Sequence, residues 1–536
     1  MGGVREVDAV VVGAGFAGLY MLHRLRAGGW SAQGFEAGGG VGGTWYWNRY
    51  PGARCDVESV EYSYKFDEDL QQEWEWAERY ASQPEILRYL EHVADRFDLR
   101  RDIQFDTRVE SAHVDERANR WVVRTDDGAT TSARFVIMAT GCLSAANLPS
   151  LPGLDRFAGD VLHTGQWPHE QVDFTGRRVG VVGTGSSGIQ SIPVIAEQAE
   201  ALVVFQRTPN YSVPARNRRL DPDEVAAVKA GYAELREANQ LMPTGFGSRT
   251  PMPVKPALEA DEDERRREFE ARWERGGFGF LAAFLDLTLD RAANDTAAEF
   301  VRDKIRATVK DPLLADRLAP TQVIGCKRLC IDTGYFETYN QAHVRLVDIN
   351  VSPIVEVTGT GVRTSEGDIS LDCLVFATGF DAMTGALLRM DIRGVGGQPL
   401  QEAWAAGPRT YLGLGVPGFP NLFVITGPGS PSVLTNMVVS IEHHVEWITD
   451  LLEHVRTTGV DRIEATSDAA DEWVAYVNAI AGMTLFPTCN SWYLGANVPG
   501  KPRIFMPLPG FPPYVEHCAH VAANGYKGFA LTASTG

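Results

Sequence analysis

Six glycines and two charged residues carry the first chemical signal. Gly13, Gly15 and Gly18 follow the apolar run Val7–Val12 at GxGxxG spacing, and Gly183, Gly185 and Gly188 repeat the pattern after the run RVGVV. Glycine at those positions permits a tight turn, close approach of backbone N–H groups to a pyrophosphate, and close packing of a following helix whose N-terminus faces the phosphate charge. The residue 18 positions beyond Gly18 is Glu36, where a carboxylate accepts hydrogen bonds from the ribose of an unphosphorylated adenosine. That turn is expected to hold FAD or NAD, the plain alternative being a structural turn. The residue 19 positions beyond Gly188 is Arg207. A guanidinium there can grip a 2'-phosphate that a carboxylate would repel, so the second turn reads as an NADP site, with a surface arginine as the alternative. Lys327 is a candidate second phosphate contact.

The elements that must position these groups can be read around them. The expected fold class is α/β, with two Rossmann-like dinucleotide-binding units. Each has a buried strand, a glycine turn, a helix and a returning strand, the latter ending in FVIMATG (Phe135 to Gly141) and LVFATGF (Leu374 to Phe380). A flavin and a hydride donor leave three outcomes: reduction of a disulfide, reduction of another acceptor, or activation of dioxygen. The chain lacks a CxxC pair, which argues against the first. Its seven cysteines are few, odd in number and without metal-site spacing, so the expectation is a reducing cytoplasm, no disulfide framework and no metal. A length of 536 residues implies two or three domains. A net charge of −19 disfavours nucleic acid and anionic membranes and leaves a small molecule as the partner. No apolar run is long enough to span a bilayer, and the first reads as a strand, so no signal peptide is expected.

Residues 221 to 312 read as largely helical. DTAAEFVRDKIRATVKDP opens on a capping-box pattern, Thr296 to Glu299, and sets Val301, Ile305 and Val309 on one face before a Lys-Asp-Pro stop. EADEDERRREFEARWERGG reads as a solvated helix face packing through Phe269 and Trp273.

FAGDVLHTGQWP precedes the second turn. Its Phe157, Gly159, His163, Trp167 and Pro168 fill the pattern F-x-G-x-x-x-H-x-x-x-W-P, and the pattern resembles the fingerprint of Baeyer–Villiger monooxygenases. On its own chemistry His163 reads as a packing residue; the resemblance makes it a linker between movements of the NADP and flavin units. GGTWYWNRYPGARCD (Gly42 to Asp56) is similar to a second fingerprint of that family, GCKRLCIDTGYFETYN to the segment with its active-site arginine, and SWYLGANVPGKPR to its mobile segment. ERYASQPEILRYLEHVADRFDLRRDI and GPGSPSVLTNMVVSIE look most like the phenylacetone and steroid monooxygenases of the family. Pro509, Pro512 and Pro513 depart from it, where relatives tend to have a glycine pair and an arginine.

The resemblance implies a monomeric enzyme in which NADPH reduces FAD, dioxygen forms a flavin peroxide, and one oxygen is inserted beside a ketone carbonyl to give an ester or lactone. Oxygenation at nitrogen or sulfur is the alternative. It makes Arg328 and Asp56 catalytic. It assigns Gly13, Gly15, Gly18, Glu36, Thr44, Trp45, Asp56, Tyr62, Val109 and Met437 to FAD. Arg54, Thr184, Gly185, Ser186, Ser187, Gly188, Gln190, Arg207, Thr208, Lys327, Arg328 and Trp492 go to NADP, and Ser432, Val433 and Leu434 to the ketone pocket. It implies an FAD domain in two parts, 1–142 and 380–536, with a mobile loop at about 480–500. The NADP domain, 143–379, lies between them and carries a helical insertion at about 217–322.

Overall fold

Parallel strands buried on both faces need continuous apolar runs, and the chain supplies two sets of them. The computed structural model describes residues 4–501 and 510–533. In the first sheet β1 (Arg5–Val12), with Val10 and Val11 fully buried, pairs in parallel with β2 (Ala32–Phe35) and, on its other side, with the strand Thr130–Met138. Ile103–Gln104 extends the sheet beyond β2. The hairpin strands Val109–Asp115 and Arg120–Thr125 extend it from Thr130–Met138. Asp391–Arg393 and Leu422–Val424 join the same sheet, so it draws on both ends of the chain. The second sheet runs Val344–Asp348, Ala201–Gln206, Arg178–Val182, Cys373–Phe376, Asp160–His163, all parallel and all from the middle of the chain.

The two glycine turns are built alike. The Gly13 N–H donates to the Phe35 carbonyl at 2.8 Å and the Gly183 N–H to the Phe205 carbonyl at 3.0 Å. Gly13 and Gly183 have φ of +107° and +111°, and a Cβ on either would stand 2.6 or 2.5 Å from the Ala139 or Ala377 carbonyl of its ATG segment. A Cβ on Gly18 or Gly188 would overlap the Gly13 or Gly183 carbonyl, so both helices need glycine to pack. They run Phe16–Ala27 and Ser186–Ala196.

The middle of the chain also carries the helices Pro222–Ala230, Tyr232–Gln240, Glu262–Arg275, Arg291–Thr308 and Pro312–Leu318. Phe269 packs on Phe280, Phe284 and Phe300, and Trp273 on Phe280 and Phe300. Val301, Ile305 and Val309 are buried. The capping box is corrected: the helix starts at Arg291, where the Asp290 carboxylate accepts from the Ala293 N–H at 2.8 Å. An aspartate before an alanine-rich stretch is a strong cap, so Thr296 is carried inside the helix and its hydroxyl donates back to the Ala293 carbonyl. Pro512 and Pro513 stand in the first turn of Phe511–Ala523, where a missing N–H costs no helix bond; Pro509 lies outside the described residues.

The cysteine expectation is also corrected. Cys326 and Cys489, 163 residues apart, form a disulfide, and the other five cysteines are buried free thiols. Chain spacing gives no sign of a pair that only the folded cleft brings together.

One core carboxylate gives a pH prediction. Glu442, fully buried, accepts from the Lys65 and Phe66 N–H groups through Oε1, while Oε2 has no partner. Burial pushes its pKa up to about 7, against the pull of Lys65. The folded state therefore penalises the charged form, a cost absent below the ordinary carboxylate value and complete above about pH 7. In Glu442→Gln the loss of stability between pH 5 and pH 8 should shrink by roughly 2 kcal/mol, read from denaturant unfolding at both values. An unchanged pH dependence would show that this carboxylate is not the source.

Candidate active site

Arg328 lies two residues before the short strand Cys330–Asp332, and Asp56 in the loop after the tight turn at Gly52. Across 272 residues of chain they form a two-point ion pair, with Nε to Oδ2 at 2.7 Å and Nη2 to Oδ1 at 2.8 Å. The remaining terminal nitrogen, Nη1, donates to the Val433 carbonyl at 2.8 Å, and the guanidinium lies 4.9 Å from the Phe278 ring centre. Burial would weaken the arginine's charge, but Asp56 and then Tyr493 outweigh it and hold its pKa above the ordinary value. The group is a cation at every working pH.

The pair faces a cleft of about 1120 Å³. Its wall includes Thr44, Trp45, Asp56, Tyr62 and Met437 from the flavin set, and Arg54 from the NADP set. From the second turn and its surroundings come Thr184, Gly185, Ser186, Ser187, Gln190, Arg207, Thr208, Lys327, Arg328 and Trp492, and Val433 joins them. Gly13, Gly15, Gly18 and Gly188 are not among the residues that line the cleft and instead frame the turns. Val109 is core, at the start of a strand two residues after Thr107, whose N–H donates to the Glu36 carbonyl. Ser432 and Leu434 line a smaller adjoining cavity with Val433, Met383, Trp492 and Tyr493.

Glu36 is buried against the first turn, taking the Ala14 and Gly38 N–H groups at 2.8 Å each. Burial raises its pKa, and the two backbone bonds, the Trp47 side chain and Arg108 oppose that. At the second turn a Cβ on Gly185 would meet open space, as a backbone that receives a ligand requires. Arg207 is exposed at the end of Ala201–Gln206 and lies near Lys327, whose pKa is lowered by burial and then by Arg207. Two cations held together are a receptor for an anion. The residues present fit both dinucleotides.

Other placements refine the expectations. Arg54 donates to Glu78 Oε2 and the Tyr80 carbonyl, both at 2.9 Å, so its charge is already paired. Gln190 joins the units: its Oε1 accepts from Tyr50 and its Nε2 donates to the Arg54 carbonyl. His163 is buried; Nδ1 accepts from the Gly165 N–H at 2.9 Å and Nε2 lies 3.3 Å from the Thr378 hydroxyl. Thr378 donates to the Asn147 carbonyl, and Asn147 Nδ2 to the Asn497 carbonyl. The fingerprint histidine is thus wired to the segment bearing Trp492. Burial lowers its pKa, which suits a neutral relay residue rather than an acid. The sequence reading passed over Tyr493 and Phe278 as partners of Arg328. Tyr493 was signalled by adjacency to Trp492, whose ring lies 4.3 Å away; nothing in the sequence marked Phe278.

Two dinucleotide turns, the second of them lining a cleft whose wall also carries a permanent cation, define a flavin- and nicotinamide-dependent oxidoreductase. A model of the flavin-binding monooxygenase-like family matches residues 7–216. A Baeyer–Villiger monooxygenase of Pseudooceanicola batsensis is 44% identical over 97% of this chain and 95% of its own. An acetone monooxygenase (methyl acetate-forming) of Gordonia sp. is 42% identical over 98% and 99%. The solved structure of oxidized steroid monooxygenase bound to NADP is 56% identical, with a TM-score of 0.94 over 99% of this chain and 100% of that one. A phenazine N-monooxygenase of Lysobacter antibioticus is 42% identical over 98% and 97%. The chain belongs to the Baeyer–Villiger monooxygenases, FAD- and NADPH-dependent enzymes that turn ketones into esters or lactones.

Proposed function

We propose that this chain inserts one oxygen atom of dioxygen beside the carbonyl of a small-molecule ketone, with Arg328 and Asp56 at the reacting centre. The observation that carries the reading is the two-point Arg328–Asp56 pair in the shared cleft, its third contact reaching the wall of the Ser432–Leu434 cavity. FAD, reduced by NADPH, supplies the activation of dioxygen. Arg328 holds a fixed positive charge where negative charge develops on the carbonyl oxygen, and a pre-set cation needs no reorganisation as that charge forms. Asp56 fixes the plane of the guanidinium. Gly13 to Gly18 and Glu36 hold the flavin nucleotide, Arg207 and Lys327 the 2'-phosphate, and Trp492 covers the nicotinamide side of the cleft.

In this reading the flavin domain comprises 1–142 and 380–536, the NADP domain 143–379 with its helical insertion at about 217–322, and the segment at about 480–500 moves. The enzyme works as a cytoplasmic monomer, and among the described residues no helix is long and apolar enough to cross a membrane. Oxygenation at nitrogen is the second reading, favoured by the phenazine relative. Arg328 favours ketones, because a carbonyl under attack develops an alkoxide and an amine does not. Purified protein with NADPH, air and a panel of linear, aromatic, cyclic and steroid ketones, with a tertiary amine and a sulfide alongside, should give esters or lactones one oxygen heavier than the ketones by mass spectrometry. An N-oxide or sulfoxide alone would support the second reading, and hydrogen peroxide alone would overturn both.

A further inference from the structure

The Cys326–Cys489 bond stands at the wall of the cleft, where Cys489 is a lining residue. Cys326 immediately precedes Lys327 and Arg328, and Cys489 lies three residues before Trp492. The bond ties the segment that carries the two cations to the segment that covers them. The latter follows the helix Ser467–Gly482 and contains only two short 3-10 turns, Phe486–Thr488 and Trp492–Leu494. Its hydrogen bonds to the body of the chain include those at its ends: Leu485 N–H to the Thr288 carbonyl, Asn497 to the Phe380 carbonyl, and Lys501 to Asp381. Cys489 lies between those anchors.

We propose that Cys326 and Cys489 are a redox site that sets how firmly the Trp492 segment is held over the dinucleotide cleft. The two sulfurs differ in access: Cys326 is 1% exposed, whereas Cys489 is half-buried and lines the cleft. Exchange therefore starts at Cys489. A thiolate of a reducing dithiol attacks Cys489 Sγ, the Cys326–Cys489 bond breaks, and Cys326 leaves as a thiolate that takes up a proton. The second thiol of the reductant then displaces Cys489. Two electrons and two protons pass to the protein, two protein thiols result, and the reductant ends as a disulfide. A low-molecular-weight disulfide runs the reaction backwards.

Closed, the bond restricts the segment to positions over Lys327 and Arg328, so a bound dinucleotide leaves slowly. Open, the segment is held by its noncovalent contacts alone. The coupling is reciprocal: NADP+ in the cleft covers Cys489 and slows the reduction.

This rests on reading the cleft as the NADP site. The test uses the full-length FAD-loaded protein, treated with oxidised glutathione or with dithiothreitol. Alkylation and peptide mass spectrometry read the bond, and calorimetric titration reads the NADP+ dissociation constant. The oxidised form should yield the linked Cys326–Cys489 peptide, and reduction should raise the constant about 10-fold, within the usual range of coupling between sites. Cys489→Ser and Cys326→Ser should each show the weaker value with or without reductant. Saturating NADP+ should slow alkylation of Cys489 under reductant. Equal constants in both states, or failure of oxidised glutathione to link the pair, would overturn the proposal. NADP+ binding to neither form would instead remove the cleft reading beneath it.

Discussion

Arg328→Ala should bind FAD and still oxidise NADPH while ester or lactone formation falls by at least about 10³-fold. Loss of one preorganised donor costs about 10²–10³ in turnover, and this variant loses a whole charge as well as its contact to the Val433 carbonyl. The cofactor frame stays in place, because the turns at Gly13 and Gly183 are held by backbone bonds to Phe35 and Phe205. Removing one partner of a deeply buried pair costs about 3–5 kcal/mol. Arg328 and Asp56 keep 22% and 23% side-chain exposure, so the orphaned Asp56 is partly hydrated and the cost is smaller. The variant should fold.

Arg328→Lys separates charge from geometry. An ammonium is a point charge that cannot meet both Asp56 oxygens in one plane while also reaching Val433. Its ester rate should fall between those of wild type and alanine. The measurement pairs product mass spectrometry with stopped-flow absorbance of flavin reduction. Ester at the normal rate from the alanine variant would sink the assigned role.

Much of this site was legible in the sequence because the constraint was local. A GxGxxG turn fixes backbone shape within six residues, and the position of Glu36 or Arg207 follows from one helix and one strand. The Arg328–Asp56 pair was reached through a family resemblance, since no periodicity joins residues 272 apart. What stayed hidden has a common cause. Phe278 reaches Arg328 through the packing of the helical region, and Cys326 meets Cys489 across the cleft; both depend on how distant segments fold over one another. The start of the helix Arg291–Thr308 was missed for a different reason: two capping signals six residues apart compete, and the aspartate earlier in the chain wins.

Arg207→Ala should raise the Michaelis constant for NADPH about 100-fold while leaving that for NADH nearly unchanged. A hydrogen bond to a charged group contributes about 1.5–3 kcal/mol, and a guanidinium can offer a phosphate two in parallel. Each 1.4 kcal/mol is a tenfold change, so losing that pair accounts for the expected factor. Lys327 remains and prevents a larger loss. Its ammonium is held below the ordinary lysine pKa by burial and then by Arg207, and it offers the phosphate a point charge rather than a planar fork. Because a point charge makes fewer directed bonds to a phosphate than a guanidinium, Lys327→Ala should cost less than Arg207→Ala, and the double variant should no longer prefer NADPH. Because Arg207 is exposed, the wild-type preference should also weaken as salt rises. Steady-state rates of NADPH and NADH oxidation at low and high ionic strength read all of these effects. An unaltered NADPH-to-NADH ratio in Arg207→Ala would place the 2'-phosphate elsewhere in the cleft.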